Sequence, residues 1–150
     1  MADHQFIFFP GKWIGEGRIA FSASPETIRF FTKWVIEDGG KNIIEAIQEV
    51  EMQGTEPSMK NTFQFSNVTP TSFVVELEND ILGRVKGTGL VDPKSIAWEF
   101  RAEGRTQGDG LEGFEVYELQ ENGDYMLHAE YASPDQFRTI IDGRIWKKSE

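Results

Sequence analysis

His128 and Glu130 alternate on one face of a predicted strand running from Asp124 to Ala132. As a haem or metal ligand, or as the working group of a small enzyme, His128 would have to turn its ring into an open pocket. No second His stands at ligand spacing, so a structural or surface role is the expectation for it. His4 falls in the first few residues, where a frayed end is expected. Arg138, Asp142 and Arg144 share a face of the last predicted strand, Phe137 to Lys147, with Ile140 and Trp146. Were that face turned inward, an Arg would offer a ligand carboxylate its bidentate fork, and Tyr125 and Tyr131 on the preceding strand would add hydroxyls. Thr32, Gln48 and Asn61 are polar residues on otherwise apolar faces. A buried polar group is costly unless paired, so these three hint at an interior that meets water or ligand. No Ser-His-Asp order, phosphate-binding loop, dinucleotide glycine pattern or His-Glu-x-x-His is present.

The elements that must position these groups are strands. Trp13 to Ala23 alternates Trp13, Gly15, Gly17, Ile19 and Phe21 against Ile14, Glu16, Arg18, Ala20 and Ser22. Period two of this kind marks a half-buried strand. Ser24-Pro25 breaks it, and Thr27 to Glu37 alternates again, with Ile28, Phe30, Thr32, Trp34 and Ile36 on one face. Asp38-Gly39-Gly40 reads as the next turn. Asn42 to Gln53 places Ile44, Ala46, Gln48, Val50 and Met52 together; Ile43, Ala46, Ile47 and Val50 also fit a helical period, which Ile44 breaks. Met59, Asn61, Phe63 and Phe65 share the following face, after a break at Gly54 to Pro57.

Ser72 to Leu77, Ile81 to Val91, Ile96 to Arg101, Leu111 to Leu119, Asp124 to Ala132 and Phe137 to Lys147 continue the series. Asn67 to Pro70, Glu78-Asn79-Asp80, Asp92-Pro93-Lys94, Thr106 to Gly110, Asn122-Gly123 and Ser133-Pro134-Asp135 separate them. Regular short strands with a turn between each pair predict a sandwich or a barrel. Every connection is short, which favours an antiparallel up-and-down barrel of about ten strands. Gly15 and Gly17 on one strand, and Gly83, Gly87 and Gly89 on another, provide the bends that a closing wall needs. At 150 residues with no linker or charge block, 1–150 reads as a single domain.

The net charge of −10 argues against nucleic acid and against anionic membrane surfaces as partners, since both need a basic patch. The chain has no cysteine, so neither a disulfide nor a thiolate metal site is available. Met1 to Pro10 has no basic segment, and its apolar run Phe6-Ile7-Phe8-Phe9 is too short for a leader. A cytoplasmic protein is the expectation. Twelve Phe and four Trp suit a lined interior or a filled core.

Gly11-Lys12-Trp13 at the start of the first strand and Arg144 on the last resemble the calycin superfamily of lipocalins, fatty-acid-binding proteins and nitrobindin-like barrels. The resemblance implies that Arg144 packs across Trp13 and closes the barrel, a cation–π contact worth about 0.5 to 2 kcal/mol. Classical lipocalins have fewer strands, and fatty-acid-binding proteins place helices where this chain has only Ser24-Pro25-Glu26. Trp13-Ile14-Gly15-Glu16-Gly17 is similar to the opening of the nitrobindin-like branch. That branch holds haem through a His near its C-terminus, whereas Phe137 to Lys147 contains none, and no cofactor is assigned.

The expectation from residues and resemblance together is a non-catalytic intracellular protein binding a small, largely apolar, fatty-acid- or lipid-like ligand. Trp13, Phe30, Trp34, Phe63, Phe65, Phe73 and Trp98 would line the interior, with Arg138 or Arg144 as polar anchor. A haem protein or small enzyme using His128 is the alternative. A filled barrel acting as an interaction or structural protein is the second. The oligomeric state stays open.

Overall fold

A computed structural model describes residues 4–22, 25–53, 59–79, 83–100, 112–132 and 138–148. Ten strands lie among them: β1 (Gly11–Phe21), β2 (Thr27–Gly40), β3 (Ile43–Met52), β4 (Met59–Ser66), β5 (Ser72–Asn79), β6 (Gly83–Asp92), β7 (Ser95–Phe100), β8 (Glu112–Leu119), β9 (Tyr125–Ala132) and β10 (Arg138–Lys147). Each pairs antiparallel with its neighbours in sequence, and β1 also pairs with β10, from Trp13 opposite Lys147 to Phe21 opposite Thr139. The fold is therefore all-β, a closed up-and-down barrel, as the alternation predicts. Closure leaves no sheet edge with unpaired backbone groups.

Alternation decides the disputed run. Asn42 to Met52 contributes β3, not a helix: Ala46 and Gln48 are buried while Ile47, which a helical stripe would bury, is 40% exposed. The turn before it falls later than expected. β2 continues to Gly40 with a register shift between Asp38 and Gly40, and the chain reverses at Lys41-Asn42. Asn42 takes a φ of 57°, a left-handed conformation that Asn tolerates better than most residues. The predicted breaks at Gly54 to Pro57, Thr106 to Gly110 and Ser133-Pro134-Asp135 lie outside the described residues, as do Ala23, Ser24, Asp80, Ile81, Arg101, Leu111 and Phe137.

Residues 4–10 fill the end of the barrel where β1 begins and β10 finishes. Phe6 and Ile7 are fully buried. The Phe6 ring stands 5.3 Å from Trp13, 5.2 Å from Trp34, 4.9 Å from Tyr117 and 5.6 Å from Tyr125. Ile7 adopts a φ of 63°, unfavourable for a β-branched residue and tolerated only where packing over-determines it. His4 is buried too, bonded through Nδ1 to the Tyr125 hydroxyl at 2.8 Å and through Nε2 to the Asp92 carbonyl at 2.7 Å. The frayed end expected for His4 is thus corrected: the segment carries enough apolar surface to leave water, and the barrel end receives it.

Beyond this plug the middle of the barrel is solid. Trp34 stacks on Phe63 at 5.1 Å, and Trp98 lies 5.8 Å from Phe63 and 5.1 Å from Tyr117. These rings form a floor across the interior.

Candidate functional site

Between the aromatic floor and the far end of the barrel lies a cavity of about 280 Å³. Its walls are largely apolar, with Ile19, Phe30, Val50, Met52, Leu127 and Ile141 among them, above Phe63 and Tyr117. Polar groups reach it from two opposite sides.

On one side a chain of side-chain hydrogen bonds crosses four strands, β5 to β2. Asn79 Nδ2 donates to Asn61 Oδ1 at 2.9 Å, Asn61 Nδ2 to Gln48 Oε1 at 2.9 Å, and Gln48 Nε2 to Thr32 Oγ1 at 3.1 Å. Each residue occupies an inward position of its strand, and Gln48, Asn61 and Asn79 line the cavity. The polar anomalies seen in the sequence therefore satisfy one another as a network, which is how buried amides avoid their desolvation cost.

On the other side stands Glu115 of β8, with only 9% of its surface exposed. Tyr117 donates its hydroxyl to Oε1 at 2.5 Å, and Tyr131 donates its hydroxyl to Oε2. Burial pushes the Glu115 carboxyl above the usual carboxylate range, against the pull of the two tyrosine hydrogen bonds. Both hydroxyls are pushed well above the usual phenol value, by burial first and then by the carboxylate beside them.

Glu115 was not legible as a site residue. On β8 the face with Phe114 and Val116 looks as apolar as the face with Gly113, Glu115 and Tyr117, so Glu115 reads as solvated. Pairing settles the matter: Glu115 lies opposite inward-facing Trp98 of β7 and Ala129 of β9, and residues directly opposite share a face. Phe114 is left on the outside. The pairing of Tyr117 with Gly113 on one parity was the available clue.

A carboxyl whose folded value lies above its unfolded one favours the fold below the ordinary carboxylate range. That contribution is lost as pH rises through the folded value, because the unfolded chain releases its proton first. The urea midpoint of the wild type should therefore fall relative to Glu115→Gln as pH is raised from about 4 to about 8. Parallel profiles for the two proteins would remove the burial argument.

The other predicted residues divide. Tyr131 and Phe63 line the cavity. Trp34 and Trp98 lie buried in the floor, and their indole N–H groups meet no acceptor among the described residues. Tyr125 belongs to the plugged end, bonded to His4, and burial pushes its hydroxyl up to about 12.

Arg138 and Arg144 correct the expectation of an interior anchor, because both point outward. Arg138 Nη2 donates to Glu130 Oε1 at 2.7 Å on the outer surface. Arg144 lies over its neighbour Trp146, 4.8 Å from the ring, and not over Trp13. Trp13 faces inward and is covered by Phe6 and Tyr125, so the closing contact implied by the resemblance is replaced by the N-terminal plug. The reason is parity. Ile145 is buried opposite Gly15, and with period two this turns Arg138, Asp142 and Arg144 to the outside together.

His128 shares that outer surface. Its Nδ1 meets Asp142 Oδ1 at 2.6 Å and its Nε2 meets Glu130 Oε2 at 2.9 Å. Asp142 first, then Glu130, raises its pKa above the ordinary histidine value. The ring cannot reach the cavity. With His4 the chain has two histidines, both engaged elsewhere, so the residues do not fit a histidine-ligated haem inside the barrel. Among the described residues no group of three His, Cys, Asp or Glu is placed to hold a metal, and no helix is long and apolar enough to cross a membrane.

No protein-family model matches the chain, and no curated protein does. Among solved structures, the crystal structure of Rv2717c from M. tuberculosis is similar with a TM-score of 0.68 and 12% identity, over 93% of this chain and 92% of that one. The likeness is one of fold. A fluorescence-activating β-barrel designed de novo also aligns over 94% of each chain, at 15% identity and a TM-score of 0.45.

Proposed function

We propose that the chain is a non-catalytic, cytoplasmic binding protein of the calycin kind, holding a small, largely apolar ligand in the cavity above the aromatic floor. The cavity carries this reading: apolar walls enclose it on one end of a barrel whose other end is plugged, and a few fixed polar groups reach in. Small-molecule sites have that composition. An acidic chain without cysteine agrees with a reducing compartment and with a partner that is neither nucleic acid nor an anionic membrane. The outward Arg138 and Arg144 do not serve as the anchor that a fatty-acid carboxylate would need, and no other Arg or Lys among the described residues lines the cavity, so the apolar part of the expected ligand is retained and the carboxylate part is not.

At interior packing density a 280 Å³ space suits a ligand of roughly ten to twelve non-hydrogen atoms. Naphthalen-2-ol, titrated calorimetrically into the full chain, should bind saturably at one site. Ala129 lies inward among the cavity residues, and Ala129→Leu, which puts a larger side chain into the space, should weaken that binding. No saturable heat, or equal binding by Ala129→Leu, would count against the cavity as the site.

A further inference from the structure

We propose that the ligand of this cavity carries a basic nitrogen and is held as an ammonium-type cation by the Glu115 carboxylate, its apolar body lying against the aromatic floor. This rests on the binding reading above and names the ligand's class.

Glu115 is the carboxylate among the cavity residues, and it is nine-tenths buried. Each of its oxygens accepts one tyrosine hydroxyl, Oε1 from Tyr117 and Oε2 from Tyr131. A carboxylate oxygen has room for a second donor, so the group keeps acceptor capacity. The hydroxyl protons of both tyrosines are turned to the carboxylate, which leaves this wall rich in acceptors and poor in donors. A ligand anion would meet like charge there.

The described residues supply no counter-ion inside the cavity. Among the described residues no Lys, Arg or His lines the cavity. The opposite wall carries the neutral Asn79, Asn61 and Gln48, bonded to one another and, through Gln48, to Thr32 behind them. An uncharged network can orient a ligand but cannot neutralise Glu115. A cationic ligand does so and forms the charge-assisted hydrogen bond that is the strongest kind available. Buried ion pairs are often offset by desolvation; here folding has already taken Glu115 out of water, so what opposes binding is the ligand's own hydration together with the hold that burial gives Glu115 on its proton. The rings of Phe30, Tyr117, Tyr131 and Phe63 bound the same space, and aromatic faces attract cations further.

Three ligands of nearly equal size separate the possibilities: 2-phenylethylamine, 2-phenylethanol and phenylacetate, each titrated calorimetrically into the full chain near neutral pH. The amine should bind about tenfold more tightly than the alcohol, or better, since a hydrogen bond to a charged group is worth that much. Phenylacetate should bind more weakly than the alcohol. In Glu115→Gln the amine should fall to the level of the alcohol, while the alcohol still binds and so reports an intact cavity. Equal binding of amine and alcohol by the wild type would overturn the proposal, as would an amine preference that survives Glu115→Gln. The wild-type comparison decides independently of whether the variant folds. If naphthalen-2-ol binds and the amine shows no preference, the amine assignment fails and the binding reading stands. If none of the four binds, both fail.

Discussion

Phe6→Ala should lower the unfolding free energy of the barrel by about 3 to 5 kcal/mol, the usual cost of truncating a fully buried phenylalanine. Phe6 has no exposed surface, and its ring meets Trp13, Trp34, Tyr117 and Tyr125. Those neighbours belong to four different strands, so they cannot close together over the missing ring without moving the wall. The same packing holds Ile7 in its left-handed conformation, so loosening Phe6 also releases a strained backbone. Phe9, two positions beyond Ile7, is 57% exposed and provides the control. Phe9→Ala should change stability by no more than about 0.5 kcal/mol. Urea unfolding of the two variants measures the difference. A loss below about 1 kcal/mol for Phe6→Ala would mean that the N-terminal segment lies on the barrel without supporting it.

Gly17→Ala should cost about 3 kcal/mol or more, at the upper end of what overpacking does. Gly17 of β1 faces Gly143 of β10 across the seam where the barrel closes. A Cβ on Gly17 would come within 2.2 Å of the Asp142 carbonyl oxygen and 2.6 Å of the Gly143 Cα. These are backbone atoms that no rotamer change can move, and the Phe30 ring lies over the same spot at 2.8 Å. The seam itself must therefore separate. For a domain of this size the melting temperature should drop by roughly 6 to 12 °C, and amide exchange should accelerate along β1 and β10 more than along β4 and β5. A variant melting within about 2 °C of wild type would show that the seam yields easily.

Both expected results concern features that a reader of the sequence sees only in part. The glycines at 15 and 17 are visible as interruptions of an apolar face, and a bend or close approach is a sound reading of them. Which backbone approaches is not visible, because Gly143 lies more than a hundred residues away in sequence. Phe6 and Ile7 read as a short apolar run of no period, too brief to be assigned as a strand. Only the open end of a finished barrel gives that run a place to go.

The alternation along each strand is a local property, since successive side chains of extended backbone point to opposite sides. It therefore determined from sequence alone the fold class, the ten strands and the inward faces that hold Phe30, Trp34, Gln48 and Asn61. It could not determine which face turns inward where both faces are mixed, as on β8 and β10. That parity is set by pairing with the neighbouring strands, and ultimately by closure of β10 on β1. One step of parity sends Arg138, Arg144 and His128 outside and brings Glu115 in. The tertiary structure alone decided the chemistry of the interior, because the partners Tyr131 and Glu115, or Gln48 and Asn61, meet only when distant strands lie side by side.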